Sequence, residues 1–192
     1  MRLTPAVRHI FYRATSAHTR IRLTMNSQLK TTTQDHQQGP DSAPYTLLEY
    51  GDYQCPSCKQ VLSLIKELEK HFGDKLKFIF RNFPLEQHEF AEMAAETAEF
   101  AAEHGKFWEM HDLLYKHQDD FSEELFPKLA SQLGLDPAAL TKALDSGKYA
   151  AKVQADLTSG EKAGVQATPT LYVNGTQTEA FDFESLVAEI ER

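Results

Sequence analysis

Tyr50-Gly51-Asp52-Tyr53-Gln54-Cys55-Pro56-Ser57-Cys58-Lys59-Gln60 holds the only two cysteines of the 192-residue chain. The pair follows an apolar run and precedes an amphipathic pattern. A thiol where a helix begins faces unpaired backbone N–H groups and the positive end of the macrodipole, and both favour the thiolate. Pro56 suits the first helical position, where a missing N–H costs nothing. Cys58, one turn on, is in reach to form or open a disulfide, so the pair reads as a redox centre. A structural zinc site needs four ligands, and no second cysteine pair or H-x(3–5)-H partner accompanies this one. A disulfide closing so short a loop would stabilise little.

Outward from this stretch, Tyr45-Thr46-Leu47-Leu48-Glu49-Tyr50 reads as a buried central strand between Pro44 and Gly51. Glu49 is the anomaly in it. The pattern leaves open whether the carboxyl is buried, with a raised pKa, or reaches water at the strand's edge. Val61, Leu64, Ile65, Leu68 and Phe72 follow one helical face, and Gly73 marks its end. Leu76–Phe80 is a second strand. Strand, helix, strand predicts a right-handed crossover that leaves the cysteines at the C-terminal end of the first strand, where open α/β sheets keep their sites.

From Glu86 to about Val165 the pattern is helical, with segments lined by Met93, Thr97, Phe100 and Ala101, then by Phe107, Met110 and Leu114. Ser122 and Asp136-Pro137 signal two further starts, and Tyr149 to about Ser159 a last helix. So much helix between strands predicts a subdomain. Thr170–Val173 is a third strand, Asn174-Gly175 a hairpin turn, Thr178–Phe181 its partner, and Phe183, Leu186, Val187 and Ile190 a closing helix.

Charge is uneven. Residues 1–34 carry six basic and no acidic side chains, whereas residues 35–192 carry 14 basic and 28 acidic, a net of −14. An acidic body argues against nucleic acid as a partner. No run approaches the length needed to span a membrane. The N-terminal segment lacks an apolar h-region. Its Arg-rich, acid-free character resembles a transit peptide, but the favoured reading makes Met25 the start and residues 1–24 foreign to the native protein. Thr31–Ala43 reads as a flexible lead-in. A cytoplasmic location, with a reducing or isomerising role, is the expectation.

With four pieces in order, the sequence resembles the DsbA-like thiol–disulfide oxidoreductase family: Gly51–Cys58, Arg81-Asn82-Phe83-Pro84-Leu85, Lys106–Leu114 and Gly164–Thr170. The resemblance implies an α/β, thioredoxin-like fold with an inserted all-helical subdomain. Its core would be residues 44–85 and 164–192, the insertion 86–163, and the flexible segment 1–43. It implies Cys55 as attacking thiolate, Cys58 as resolving thiol, and Glu49 as a buried carboxylate taking the Cys58 proton. It also implies a cis Pro169, with Thr168 offering its backbone to an extended substrate. Pro56-Ser57 stands where strongly oxidising members carry Pro-His, which implies a weaker oxidant. Ala167 replaces a frequent glycine. No cofactor beyond the Cys55–Cys58 disulfide is implied. The partners would be protein or peptide thiols and disulfides and a recycling redox partner, met by a monomer. Two rival readings are a polypeptide-binding, chaperone-like module and a glutathione-dependent transferase or isomerase; an intact Cys-Pro-Ser-Cys speaks against the latter.

Overall fold

A computed structural model describes residues 29–192; the readings of residues 1–28, Met25 included, lie outside them. The sheet is built on β2 (Tyr45–Gly51), which pairs in parallel with β3 (Leu76–Asn82) across α1 (Pro56–Phe72). On its other side β2 pairs antiparallel with β4 (Thr170–Val173), and β4 with β5 (Thr176–Thr178). A short β1 (His36–Gln38) closes the far edge against β3, giving the order β1-β3-β2-β4-β5.

Because side chains alternate along a strand, β2 and β3 feed two cores. Leu47, Phe78 and Phe80 join α1 in the larger one, while Leu48, Tyr50 and Ile79 pack with Phe83, Val165 and Tyr172 on the opposite face. Glu49 and Gly51 share the parity of Leu47, the face that α1 covers.

Between β3 and β4 lie α2 (Ala91–Glu103), α3 (Phe107–Lys116), α4 (Leu125–Gln132), α5 (Pro137–Asp145) and α6 (Ala150–Ala163). Helix α2 packs against all four others, and its buried Ala94, Ala95, Ala98 and Ala101 let them approach. A Cβ on Gly160 of α6 would stand 2.6 Å from the Phe83 ring, so only glycine lets α6 lie this close to the sheet. Helix α7 (Phe183–Ile190) packs on α1 and β2. This is a thioredoxin-like fold with a helical insertion.

Three sequence expectations differ from the structure. The stretch read as a flexible lead-in is held in place. His36 stacks on Phe107 with ring centroids 3.6 Å apart, and its Nε2 lies 2.9 Å from the Glu99 carboxylate. Trp108 Nε1 donates to Gln37 O, and Arg81 pairs with Asp35 through Nε at 2.8 Å and Nη2 at 2.9 Å. Long-range polar contacts, invisible to composition, order it. Second, the hairpin partner begins at Thr176, because the two-residue turn pairs Val173 directly with Thr176. Third, α4 starts at Leu125, three residues past Ser122, and α6 runs to Ala163, ending where Gly164 takes φ +91°.

Candidate active site

Cys55 is the residue before α1, in extended conformation, with Pro56 at the first helical position. Its thiol donates to the main-chain oxygen of Thr168 (Sγ···O 3.2 Å), and the Thr168–Pro169 peptide is cis. Cys58 is fully buried; both cysteines are in the thiol form. The Asp52 N–H points at Cys58 Sγ from 3.5 Å.

The electrostatics separate the two sulfurs. Hydrogen bonding from the Cys58 thiol, then from the Thr168 side chain and the N–H groups of Cys58 and Ser57, lowers Cys55 from 9.0 to about 5, against a smaller opposing effect of burial. Thr168 Oγ1 is buried and has no hydrogen-bond partner while Cys55 is a thiol, which leaves it free to turn toward the thiolate. Burial, the hydrogen bond to Cys55 and the Glu49 charge push Cys58 far up. Glu49, 2 % exposed, lies under the pair. Burial first and the Cys55 charge second raise it from 4.5 to about 8, partly offset by a hydrogen bond with Cys58. Its Oε1 has no hydrogen-bond partner. Gly51 makes room for it, since a Cβ there would stand 2.9 Å from Glu49 Oε1 and 2.3 Å from the Phe80 ring.

The structure therefore brings Cys55, Cys58, Glu49, Thr168 and Pro169 together. Pro56 and Ser57 are exposed at the helix mouth. Beside it opens a groove of about 500 Å³ lined by Ser57, Gln60, Val61, Leu64, Thr168, Pro169 and Phe181, the last 46 % exposed. Sequence reasoning passed over Asp52. Its buried carboxylate accepts from Gln54 N (2.7 Å) and Leu85 N (2.9 Å) and pairs with His88 Nδ1 (2.7 Å), fixing the loop before the cysteines. An acid two residues before a backbone N–H is a turn signal, the one clue in the sequence. Among the described residues no group of three or more His, Cys, Asp or Glu is gathered to hold a metal ion.

The thioredoxin family model matches residues 31–192. Oxidised BdbD from Bacillus subtilis superposes with a TM-score of 0.77 at 32 % identity, over 84 % of this chain and 93 % of that one. The chain belongs to the DsbA-like thiol–disulfide oxidoreductases of the thioredoxin family. The thiol–disulfide exchange protein α-DsbA2 from Wolbachia pipientis shares the fold, with a TM-score of 0.71 at 21 % identity over 83 % of this chain and 87 % of that one. Among curated proteins, Na(+)/H(+) antiporter NhaA 3 of Salinispora tropica is 37 % identical over 158 residues, 81 % of this chain but 24 % of the antiporter. The chain thus spans about a quarter of the length of the curated relatives it matches.

These comparisons overturn the expected cytoplasmic location. A neighbour from Salmonella enterica serovar Typhimurium, of the same fold (TM-score 0.67, 18 % identity, 85 % of this chain and 92 % of that one), is described as periplasmic. The expectation rested on a missing apolar leader within residues 1–28. Those lie outside the described residues, and a leader's absence says nothing for a chain that covers so little of its relatives. The reducing or isomerising role expected from that location loses that support.

Proposed function

We propose that the protein exchanges disulfides with protein substrates through Cys55 and Cys58. The observation that carries this reading is the placement of an acidic Cys55 at the mouth of α1, beside an apolar groove, with a protonated Cys58 buried one turn behind.

The Cys55 thiolate attacks one sulfur of a client disulfide. A new S–S bond forms and the other client sulfur leaves as a thiolate. The negative charge on Cys55 has then gone. Part of what kept Glu49 protonated goes with it, so the carboxyl gives its proton by way of water to the departed client thiolate and, now a carboxylate, accepts the Cys58 proton. Cys58 attacks Cys55, the second client sulfur leaves, and the products are the Cys55–Cys58 disulfide and a client dithiol. Two electrons and one proton have left the protein, and the second client thiolate takes its proton from water. The reverse sequence oxidises a client dithiol, and a recycling partner resets the pair. Direction follows the potential of the pair against its surroundings, about 30 mV for each tenfold change in equilibrium. Thr168 and Pro169 face the incoming segment.

An insulin-reduction assay tests the reading. Wild type is active and Cys55→Ser inactive, while Cys58→Ser accumulates mixed disulfides with the client; equal activity of wild type and Cys55→Ser would end it. The exposed Phe181 and the groove favour a second reading, a polypeptide-binding module that keeps its thiols. Under that reading Cys55→Ser,Cys58→Ser still suppresses aggregation of an unfolded client.

A further inference from the structure

Gln118 sits in a single 3-10 turn, Gln118–Asp120, that follows α3 in the helical insertion. Its side chain is buried. The one amide nitrogen donates to two main-chain oxygens that flank the redox centre, Tyr53 O at 2.8 Å and Cys55 O at 2.9 Å. Both partners are carbonyls, which only accept, so the orientation of the amide is fixed by chemistry: the NH2 group faces the loop. Cys55 O also accepts from Cys58 N (3.1 Å) and Lys59 N (3.3 Å), the first bonds of α1. For the buried Tyr53 O, Gln118 is the donor among the described residues. Neighbouring contacts draw the same elements together. Tyr53 OH bonds His111 Nδ1 on α3 at 3.1 Å, and Lys59 Nζ pairs with Asp119 at 2.5 Å.

We propose that Gln118 is a positioning residue for the Cys55 thiolate, delivered by the helical insertion to a helix mouth in the core. The Tyr53 and Cys55 carbonyl oxygens carry negative partial charge in the segment that bears the sulfur, and that charge opposes its ionisation. The amide hydrogens face those oxygens and offset them. They also hold the loop so that the N–H groups of Ser57 and Cys58 stay aimed at Sγ. The proposal rests on the disulfide-exchange reading, because it assigns Gln118 the acidity of the thiol that reading uses.

The test is thiolate absorbance of the reduced protein as a function of pH, for wild type, Gln118→Met and Gln118→Glu. Met keeps the length and loses both donors; Glu keeps the shape and sets acceptors against acceptors. The expected result is a rise in the Cys55 pKa of about one unit for Met, a tenfold loss of thiolate preference, and a larger rise for Glu. The dithiol–disulfide equilibrium against glutathione should move in step, about tenfold or about 30 mV toward the disulfide for Met. A merely structural role would lower the melting temperature of these variants and leave both readings unmoved, which would overturn the proposal. Should neither variant fold, the wild-type protein decides: the Gln118 side-chain amide resonances must titrate with Cys55, and flat signals would overturn it. An ordinary thiol pKa for wild-type Cys55 would remove the exchange reading itself, and this inference with it. An acidic Cys55 indifferent to residue 118 would remove the inference alone.

Discussion

Replacing Glu49 with glutamine should uncover a pH dependence of stability that the wild-type dithiol form hides. Cys55 ionises at about 5 in the folded protein against an ordinary 9.0. A depressed pKa contributes stability that is fully present above the unfolded value and lost as pH falls through the folded one. Cys55 alone therefore makes the dithiol form more stable as pH rises from 5 to 9. At about 1.4 kcal/mol per pH unit, full insulation would give about 5 kcal/mol. The sulfur lies at the helix mouth against Thr168, which lines an open groove, and solvent screening reduces this to about 2–3 kcal/mol. Glu49 runs the other way. Its pKa is raised from 4.5 to about 8, so its contribution is fully present below 4.5 and is lost as pH rises through 8. Over pH 5–8 the two slopes oppose each other, and the fully buried Glu49 outweighs the screened thiolate, so the wild-type curve should not climb. In Glu49→Gln only the Cys55 slope remains, and stability should climb by about 2–3 kcal/mol between pH 5 and 9. Guanidinium unfolding under a reductant, followed by the fluorescence of Trp108, the single tryptophan, measures it. The disulfide form of the variant, in which Cys55 cannot ionise, is the control. Parallel wild-type and variant curves would refute the assignment of these opposed titrations.

Three further outcomes are expected. Gly51→Ala forces a Cβ to within 2.3 Å of the Phe80 ring and 2.9 Å of Glu49 Oε1, and should cost about 1–3 kcal/mol by chemical denaturation. Arg81→Met strands the Asp35 carboxylate, whose side chain is 3 % exposed; the loss should be about 3–5 kcal/mol, with most of it recovered in Arg81→Met,Asp35→Leu. Leu64→Gln places an uncharged polar side chain in the groove beside Pro169 and should raise KM for an apolar peptide disulfide by roughly tenfold, about 1.4 kcal/mol of binding, while adding no charge near the Cys55 thiolate.

The parts of this site that were legible in the sequence are those written in local periodicity. Cys55 before Pro56 announced a helix mouth, and the i, i+3, i+4, i+7 stripe through Val61, Ile65 and Leu68 announced which way that helix faces. Glu49 was legible as an anomaly and not as a position. A strand buried on both faces gives no alternation to read, and only the register of β2, with Glu49 opposite Phe80 and Leu171, turns the carboxyl toward α1. Gln118, Asp52 and β1 were not legible. Each is fixed by hydrogen bonds to groups 33 to 71 residues away along the chain, such as Asp52 to Leu85 and Trp108 to Gln37, and a polar residue in a polar stretch carries no mark of its partner. The hairpin erred by register alone: the turn was right, and a two-residue loop leaves the next residue no choice but to pair.

The two-residue spacing of the cysteines accounts for their division of labour. An α-helix turns about 100° per residue, so three positions bring a side chain to within about 60° of its starting direction. Cys58 falls on the same stripe as Val61, Ile65, Leu68 and Phe72, all buried against the sheet, and so is carried into the core above Glu49. Cys55 lies before the first helical residue, where the stripe has not yet begun and the backbone N–H groups have no helical acceptor. A spacing one residue shorter would rotate the second sulfur to about 200°, on the solvent side, and lose the protonated partner that holds the first as a thiolate. The same helix therefore sets one sulfur at its mouth, beside the groove, as an anion and the other in the core as an acid. No charged side chain is required beside Cys55, and this is how a Pro-Ser dipeptide without histidine still leaves it ionised well below an ordinary thiol.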